Sequence, residues 1–134
     1  MSSSQIIQAR GVAKRFGNFE ALAALDLEVG KGECVGLLGP NGAGKSTFIG
    51  CLYGVVSRSG GDLAVFGLDP ATQAREIKTR IGAVPQENAL DDGLTVLENM
   101  RIYSSFGGLT RKQADARINE LLSYMALESK RHAT

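Results

Sequence analysis

Apolar and polar residues alternate along the first third of the chain in the pattern of half-buried β-strands. Leu25, Leu27 and Val29 alternate with acidic residues, which gives this segment one apolar face and one polar face. Residues 33–38 instead form a short, mostly apolar run, which predicts a parallel strand buried on both faces. Further strands are predicted over residues 6–12, 62–66 and 81–84.

In the second half of the chain the spacing changes to that of amphipathic helices. Thr95 with Glu98 and Thr110 with Gln113 have the spacing of helix-capping boxes. The first of these helices should run to about residue 103, before a glycine pair. The second should place one apolar face against a core, formed by Ala114, Ile118, Leu121, Leu122 and Met125. A shorter helix is expected over residues 72–80.

Composition narrows the possible partners of this chain. Its 134 residues carry 15 Lys and Arg against 14 Asp and Glu, a net charge of +1, so no nucleic acid partner is expected. No apolar run reaches the length of a membrane span, and the start lacks the pattern of a secretory signal. The two cysteines, Cys34 and Cys51, are expected to be small buried apolar residues in a reducing cytoplasm.

Residues 39–47 have the pattern of a phosphate-binding loop, G-x-x-x-x-G-K-[ST], between a predicted strand and a predicted helix. Backbone N–H groups must converge on the phosphates, so Gly42 and Gly44 are expected to lack Cβ atoms for close approach. Lys45 would place its ammonium on the β- and γ-phosphates, and the Ser46 hydroxyl would ligate Mg²⁺. The predicted nucleotide-binding residues of the loop are Gly39, Pro40, Asn41, Gly42, Ala43, Gly44, Lys45, Ser46 and Thr47.

Together with this loop, two further segments resemble the ATP-binding cassette (ABC) ATPases. One is KRFG at residues 14–17, before the second strand. The other is VPQEN at residues 84–88, followed by LTVLENM at residues 94–100. GTPases and small-molecule kinases share the phosphate loop but lack the VPQ-to-LTVLENM stretch. The resemblance extends from about residue 6 to the end and is closest to ATPases of exporters, including those for drugs and lipo-oligosaccharides.

The resemblance implies an α/β fold, in which a P-loop NTPase core carries an antiparallel β subdomain and a helical subdomain. Residues 1–93 would form the nucleotide-binding core and β subdomain, and residues 94–134 part of the helical subdomain. The C-terminal part of the core would be missing, since no LSGGQ-type motif, Asp-Glu strand or catalytic histidine follows. Gly107-Gly108 lies too soon after Gln86 to be that motif, and His132 is expected in a solvated tail.

The resemblance also assigns roles to residues outside the loop. Phe16 would stack on adenine, because stacking needs only a flat apolar face. Thr47 would bond the α-phosphate. Gln86 would bind Mg²⁺ or orient the attacking water, which makes Lys45 and Gln86 the catalytic candidates and Ser46 and Gln86 the metal ligands. Residues 87–92 would contact a membrane partner.

By this resemblance the intact protein would be an ATPase with ATP and Mg²⁺ as cofactors, driving transport and most consistent with export. It would pair with a second nucleotide-binding subunit and a multi-spanning permease, in the cytoplasm on the inner face of the membrane. This chain alone is expected to bind nucleotide weakly, not to turn it over, and to self-associate through an incomplete sheet. The alternatives are a non-transport ABC ATPase acting on nucleic acid or ribosomes, a phosphate-loop kinase, and a nucleotide-binding module without activity.

Overall fold

The computed structural model describes residues 5–86 and 89–134, which divide into two compact units, Met1–Lys78 and Thr79–Thr134. The fold is mixed α/β, with an antiparallel sheet in the first unit and a helical second unit. The division at residue 78 reflects compactness, and the boundary predicted at residue 93 between functional subdomains stays a prediction. Within the described ranges, no helix combines the length and apolar character that crossing a membrane requires.

The sheet of the first unit has three antiparallel strands in the order β2-β1-β3. They are β1 (Gln5–Phe16), β2 (Phe19–Gly30) and β3 (Gly60–Val65). A two-residue turn joins β1 to β2, and Gly17 takes the left-handed backbone (φ 57°) that such a tight hairpin needs. The alternation at residues 25–29 and the strands expected near residues 6–12 and 62–66 are therefore confirmed.

Helix α1 (Lys45–Leu52) packs against this sheet and closes the core of the first unit. Phe48 and Cys51 are 1% and 2% exposed, so the buried face of this short helix is almost wholly removed from water. The core residues around them come from all three strands: Ala9, Val12, Leu22 and Leu63. Because α1 begins at Lys45, this packing also places the end of the phosphate loop.

Asp69, which forms an ion pair with Arg58, directly precedes helix α2 (Pro70–Lys78). Asp69 accepts two hydrogen bonds from the Arg58 guanidinium, at 2.7 and 2.9 Å, and one from the Ala71 N–H at 2.8 Å. These bonds, chiefly those from Arg58, lower the pKa of Asp69 to about 2. The pair ties the segment after α1 to the start of α2.

The second unit is built on α3 (Val96–Phe106) and α4 (Arg111–Tyr124), and both predicted capping boxes are present. Thr95 and Thr110 each accept a bond from the N–H three residues on, and Glu98 and Gln113 accept from the cap N–H in return. Ile118 and Leu122 of the expected apolar face pack against Leu97.

Two expectations about individual residues are wrong. Met125 lies past the end of α4 and is 62% exposed, so it does not extend the buried face. Cys34 is exposed, whereas Cys51 is buried as expected. His132 is exposed, as expected of a solvated tail, and the backbone of this tail also contacts α3, because the carbonyls of Arg131 and Ala133 accept bonds from the Leu97 and Val96 N–H groups at 3.0 and 2.9 Å.

The strands predicted at residues 33–38 and 81–84 are absent from the structure. Both segments have no regular secondary structure, and Leu38 and Val84 are 96% and 98% exposed. Their apolar composition suits buried parallel strands, but a parallel strand forms only against neighbouring strands that cover it. None of the three strands pairs with residues 33–38. The exposed apolar surface that was expected is present here, whereas the incomplete sheet and self-association stay predictions.

Candidate nucleotide-binding site

The phosphate-loop sequence leads directly into the N-terminus of α1. Gly44 is the N-cap residue, and its carbonyl accepts the first helical bond, from the Phe48 N–H at 2.8 Å. The N–H groups of the first helical turn have no partner inside a helix, and they carry the positive end of the helix dipole. Gly44 has no side chain to cap them. This end of α1 therefore presents N–H donors of the kind that bind an anion.

The Lys45 ammonium lies across the loop that precedes it. Its Nζ donates to the Gly39 carbonyl at 2.6 Å and to the Pro40 carbonyl at 2.7 Å. These two bonds curl the loop around the positive charge, since the acceptors lie six and five residues before the lysine. The N-terminus of α1 and the ammonium group are thus contributed by two consecutive residues, Gly44 and Lys45.

Gly44 is needed for packing in addition to any approach to phosphate. A Cβ at this position would lie 2.6 Å from the Ala21 carbonyl oxygen and 2.9 Å from Leu22 Cδ1. The start of α1 therefore lies directly against β2, a packing reason for glycine that the phosphate-loop pattern does not predict. Gly42 differs, because a Cβ there would meet nothing within 4 Å, although its φ of 87° favours glycine.

The remaining loop residues lie at the surface, where a ligand could reach them. Ser46 is exposed and Thr47 half-buried in the first turn of α1. Proteins usually bind Mg²⁺ through one or two oxygens, while phosphates and water supply the other ligands. The hydroxyl of Ser46 and the amide oxygen of Gln86 fit that donor chemistry. The described residues contain no cluster of three or more His, Cys, Asp or Glu that would form a metal site by itself.

Phe16 ends β1 at the hairpin turn, where it pairs with Phe19 of β2. Its side chain is available to a flat ligand, because the residue is 54% exposed. The Lys14 ammonium lies 4.6 Å from the centroid of the Phe16 ring, a cation–π contact on one ring face. Sequence reasoning missed this contact of Lys14. It could have been found, because residues two positions apart on a strand share a face, as Lys14 and Phe16 do on β1.

Gln86 belongs to the second unit, whereas the phosphate loop belongs to the first. It is exposed and lines a cavity of about 410 Å³ together with Leu90 and Tyr103. Glu87 and Asn88, part of the segment expected to contact a membrane partner, lie outside the described residues. The structure thus brings the Gly39 and Pro40 carbonyls onto the Lys45 ammonium and places Gln86 on a separate unit.

A polar residue that sequence reasoning did not single out is buried in the second unit. Asn99 of α3 is 8% exposed, and its amide bonds the backbone at Asp91, Leu94 and Thr95. A signal for it existed, since asparagine is a poor helix former and here it occupies the same helix face as Val96 and Tyr103.

Comparisons with known proteins show which family this chain resembles. The family model described as "ABC transporter" matches residues 22–134. Over 128 residues the chain is 41% identical to the Nod factor export ATP-binding protein I of Cupriavidus metallidurans, covering 96% of this chain and 42% of that protein. The protein of the same name from Mesorhizobium japonicum is 39% identical over 132 residues, with 98% and 39% covered.

Solved structures give the same result for the fold. An ATP-binding subunit of an ABC transporter superposes with a TM-score of 0.80 at 25% identity, over 95% of this chain and 53% of that one. For cbiO1 from Clostridium perfringens, part of the ABC transporter complex cbiONQ, the TM-score is 0.83 at 20% identity, over 97% and 54%. The chain spans about two fifths of the length of the curated relatives it matches. By its sequence and its fold, the chain belongs to the ABC transporter family of ATP-binding proteins.

Proposed function

We propose that this chain is the nucleotide-binding part of an ATPase subunit that powers an ABC exporter. The observation that carries the proposal is the junction of residues 39–47 with α1, where the Lys45 ammonium and a helix N-terminus adjoin. A phosphate oxygen is charged and accepts a stronger hydrogen bond than a backbone carbonyl. ATP would therefore replace the Gly39 and Pro40 carbonyls as partners of the lysine.

The other loop and strand residues would complete the site. Phe16 would stack on adenine, either on the ring face that Lys14 leaves open or by displacing the lysine. Thr47 would bond the α-phosphate, and Ser46 and Gln86 would ligate Mg²⁺, which neutralises the phosphate charge when bound. Backbone N–H groups between Gly39 and Lys45 would bind the phosphate tail.

In the intact protein this site would hydrolyse ATP, with Lys45 stabilising charge on the transferred phosphoryl group and Gln86 orienting the attacking water. The subunit would pair with a second nucleotide-binding subunit and bind a multi-spanning permease on the cytoplasmic face of the membrane. Export is favoured by the similarity of this chain to Nod factor export ATP-binding proteins. This chain alone would bind Mg-ATP weakly and have negligible turnover, because a positioned water and γ-phosphate contacts need further groups.

Calorimetric titration with ATP, ADP and AMP tests the nucleotide site. Affinity should fall with each phosphate removed, since the loop would contact the phosphate tail. Ser46→Ala should weaken ATP binding several-fold with Mg²⁺ present and leave it unchanged with EDTA, while Ser57→Ala, an exposed serine of the same unit, should match the wild type. Equal affinity for ATP and AMP would contradict the proposal.

Purification of the intact protein from detergent-solubilised membranes tests the transport role. A multi-spanning subunit should co-purify with it. Recovery with ribosomes or nucleic acid, and without a membrane subunit, would instead support a non-transport ABC ATPase.

A further inference from the structure

Two side chains of α3 bind the backbone of residues 89–95, the segment that leads from Gln86 into the helix. The Tyr103 hydroxyl donates to the Ala89 carbonyl at 2.5 Å. The Asn99 side chain bonds Asp91, two residues further along. Asn99 and Tyr103 are four residues apart, so they lie one helical turn from each other on the same face. The segment is thus attached to α3 at successive points.

Asn99 bonds this segment at more points than Tyr103 does. Its Oδ1 accepts from the Asp91 N–H at 2.9 Å, and its Nδ2 donates to the Asp91 carbonyl at 2.9 Å, so one amide binds both backbone groups of one residue. Nδ2 also lies 3.3 Å from the Leu94 and Thr95 carbonyls. A buried amide is costly unless its groups are paired, and here both ends are used. Asn99 therefore holds one backbone path for residues 91–95.

Helix α3 is itself held in place at its start. The capping box at Thr95 and the bonds from the Val96 and Leu97 N–H groups to the chain's last residues satisfy its first turn. Leu97 packs against Ile118 and Leu122 of α4. Tyr103 also makes an edge contact with Phe106, with ring centroids 5.9 Å apart. Residues 89–95 are therefore bonded to a helix that makes contacts along its own length.

Tyr103 connects the same attachment to Gln86. Its ring lines the cavity of about 410 Å³ that Gln86, Ala89 and Leu90 also line. Its hydroxyl bonds the Ala89 carbonyl, three residues after Gln86 in sequence. Ala89 is therefore bonded to α3 close to Gln86 in sequence, and the glutamine borders the same cavity as the tyrosine that makes this bond.

We propose that Tyr103 and Asn99 are positioning residues for Gln86. They help to place the glutamine by hydrogen-bonding the backbone of residues 89–95 to α3. The inference rests on the proposed function, in which Gln86 binds Mg²⁺ and orients the attacking water. A metal ligand or water-orienting group must be placed to within a fraction of an ångström, and its supporting contacts determine that placement. Tyr103 acts through Gln86 and needs no contact with nucleotide.

Amide hydrogen exchange on Tyr103→Phe tests the attachment. This change removes one hydroxyl and keeps the ring that packs against Phe106. Exchange in residues 89–91 should become about five-fold faster, the factor that corresponds to the loss of one ordinary hydrogen bond. Tyr124→Phe is the matched control, because Tyr124 is 88% exposed and should leave exchange there unchanged. Equal exchange in Tyr103→Phe and the control would overturn the inference.

A double-mutant cycle with Gln86→Ala tests positioning against mere stabilisation. Tyr103→Phe should weaken ATP binding about three-fold or more with Mg²⁺ present, have no effect with EDTA, and have no further effect in the Gln86→Ala background. Additive effects of the two changes, or a loss with EDTA, would overturn it.

Lys45→Ala separates this inference from the proposed function. If Lys45→Ala leaves ATP binding intact, the nucleotide site itself is refuted. If Lys45→Ala weakens binding while the Tyr103 and Gln86 effects add, only the positioning role is refuted.

Discussion

Gly44 and Gly42 have nearly the same left-handed backbone, with φ of 84° and 87°, yet their surroundings differ. A Cβ on Gly44 would lie 2.6 Å from the Ala21 carbonyl oxygen, whereas one on Gly42 would meet nothing within 4 Å. We expect Gly42→Ala to cost about 1 kcal/mol in backbone strain. Gly44→Ala should cost at least about 2 kcal/mol more, because α1 must shift away from β2.

Urea unfolding of the two variants checks this difference. The free energy of unfolding should fall much further for Gly44→Ala than for Gly42→Ala. Equal losses would show that α1 does not rest on β2 as described.

Asp69 makes stability depend on pH in acid. Bonds from Arg58 hold its pKa near 2 in the folded chain, below the ordinary value of 3.8. A lowered folded pKa stabilises the protein above the unfolded pKa, and that contribution is lost as the pH falls from about 4 to 2. The Asp69 side chain is 39% exposed, so we expect Asp69→Asn to lose only about 1 kcal/mol at pH 7.

Unfolding measured from pH 7 to pH 2.5 checks the sign of this effect. The difference between wild type and Asp69→Asn should shrink as the pH falls below 4. A difference that stays constant over this range would contradict the role assigned to the Arg58–Asp69 pair.

Among the helices, α4 offers the clearest test of a capping box. Thr110 accepts from the Gln113 N–H at 3.4 Å, and Gln113 accepts from the Thr110 N–H at 3.0 Å. Thr110→Ala should lower the free energy of unfolding by about 1 kcal/mol. Ser123→Ala, an exposed change inside the same helix, should not lower it, since alanine favours helix. Chemical denaturation followed by circular dichroism gives both values.

Local signals predicted elements better than signals that depend on distant partners. The capping boxes at Thr95 and Thr110 were predictable, because a box is complete within four residues. The apolar segment at residues 33–38 predicts a strand, but the structure has none there. A strand forms only beside other strands, and the sequence of one segment does not show whether those strands are present. The contact between Gly44 and Ala21 likewise depends on which strand packs under α1. The roles predicted for Phe16 and Gln86 stay predictions.

For the whole molecule, the exposed apolar segment at residues 33–38 predicts self-association. Val35 and Leu38 are 44% and 96% exposed, and the segment's backbone is not part of the sheet. Exposed apolar chain with unpaired backbone favours pairing with another copy. Sedimentation velocity should show dimers or larger species that increase with concentration.

A charge in this segment should reduce the association. Leu38→Glu should shift the distribution towards monomer, while Tyr124→Glu, which adds the same charge at another exposed apolar position, should shift it less. A wild-type chain that stays monomeric at high concentration would contradict the prediction.

The proposed function depends above all on binding of the ATP phosphate tail by the loop at residues 39–47 through Lys45. Isothermal titration of wild type and Lys45→Ala with Mg-ATP tests it most directly, with circular dichroism to show that both chains are folded. We expect measurable binding by the wild type and a loss of about ten-fold or more in Lys45→Ala, because a charge-assisted contact to phosphate is removed. Equal affinity of the two folded chains for Mg-ATP would refute a phosphate-binding role for Lys45.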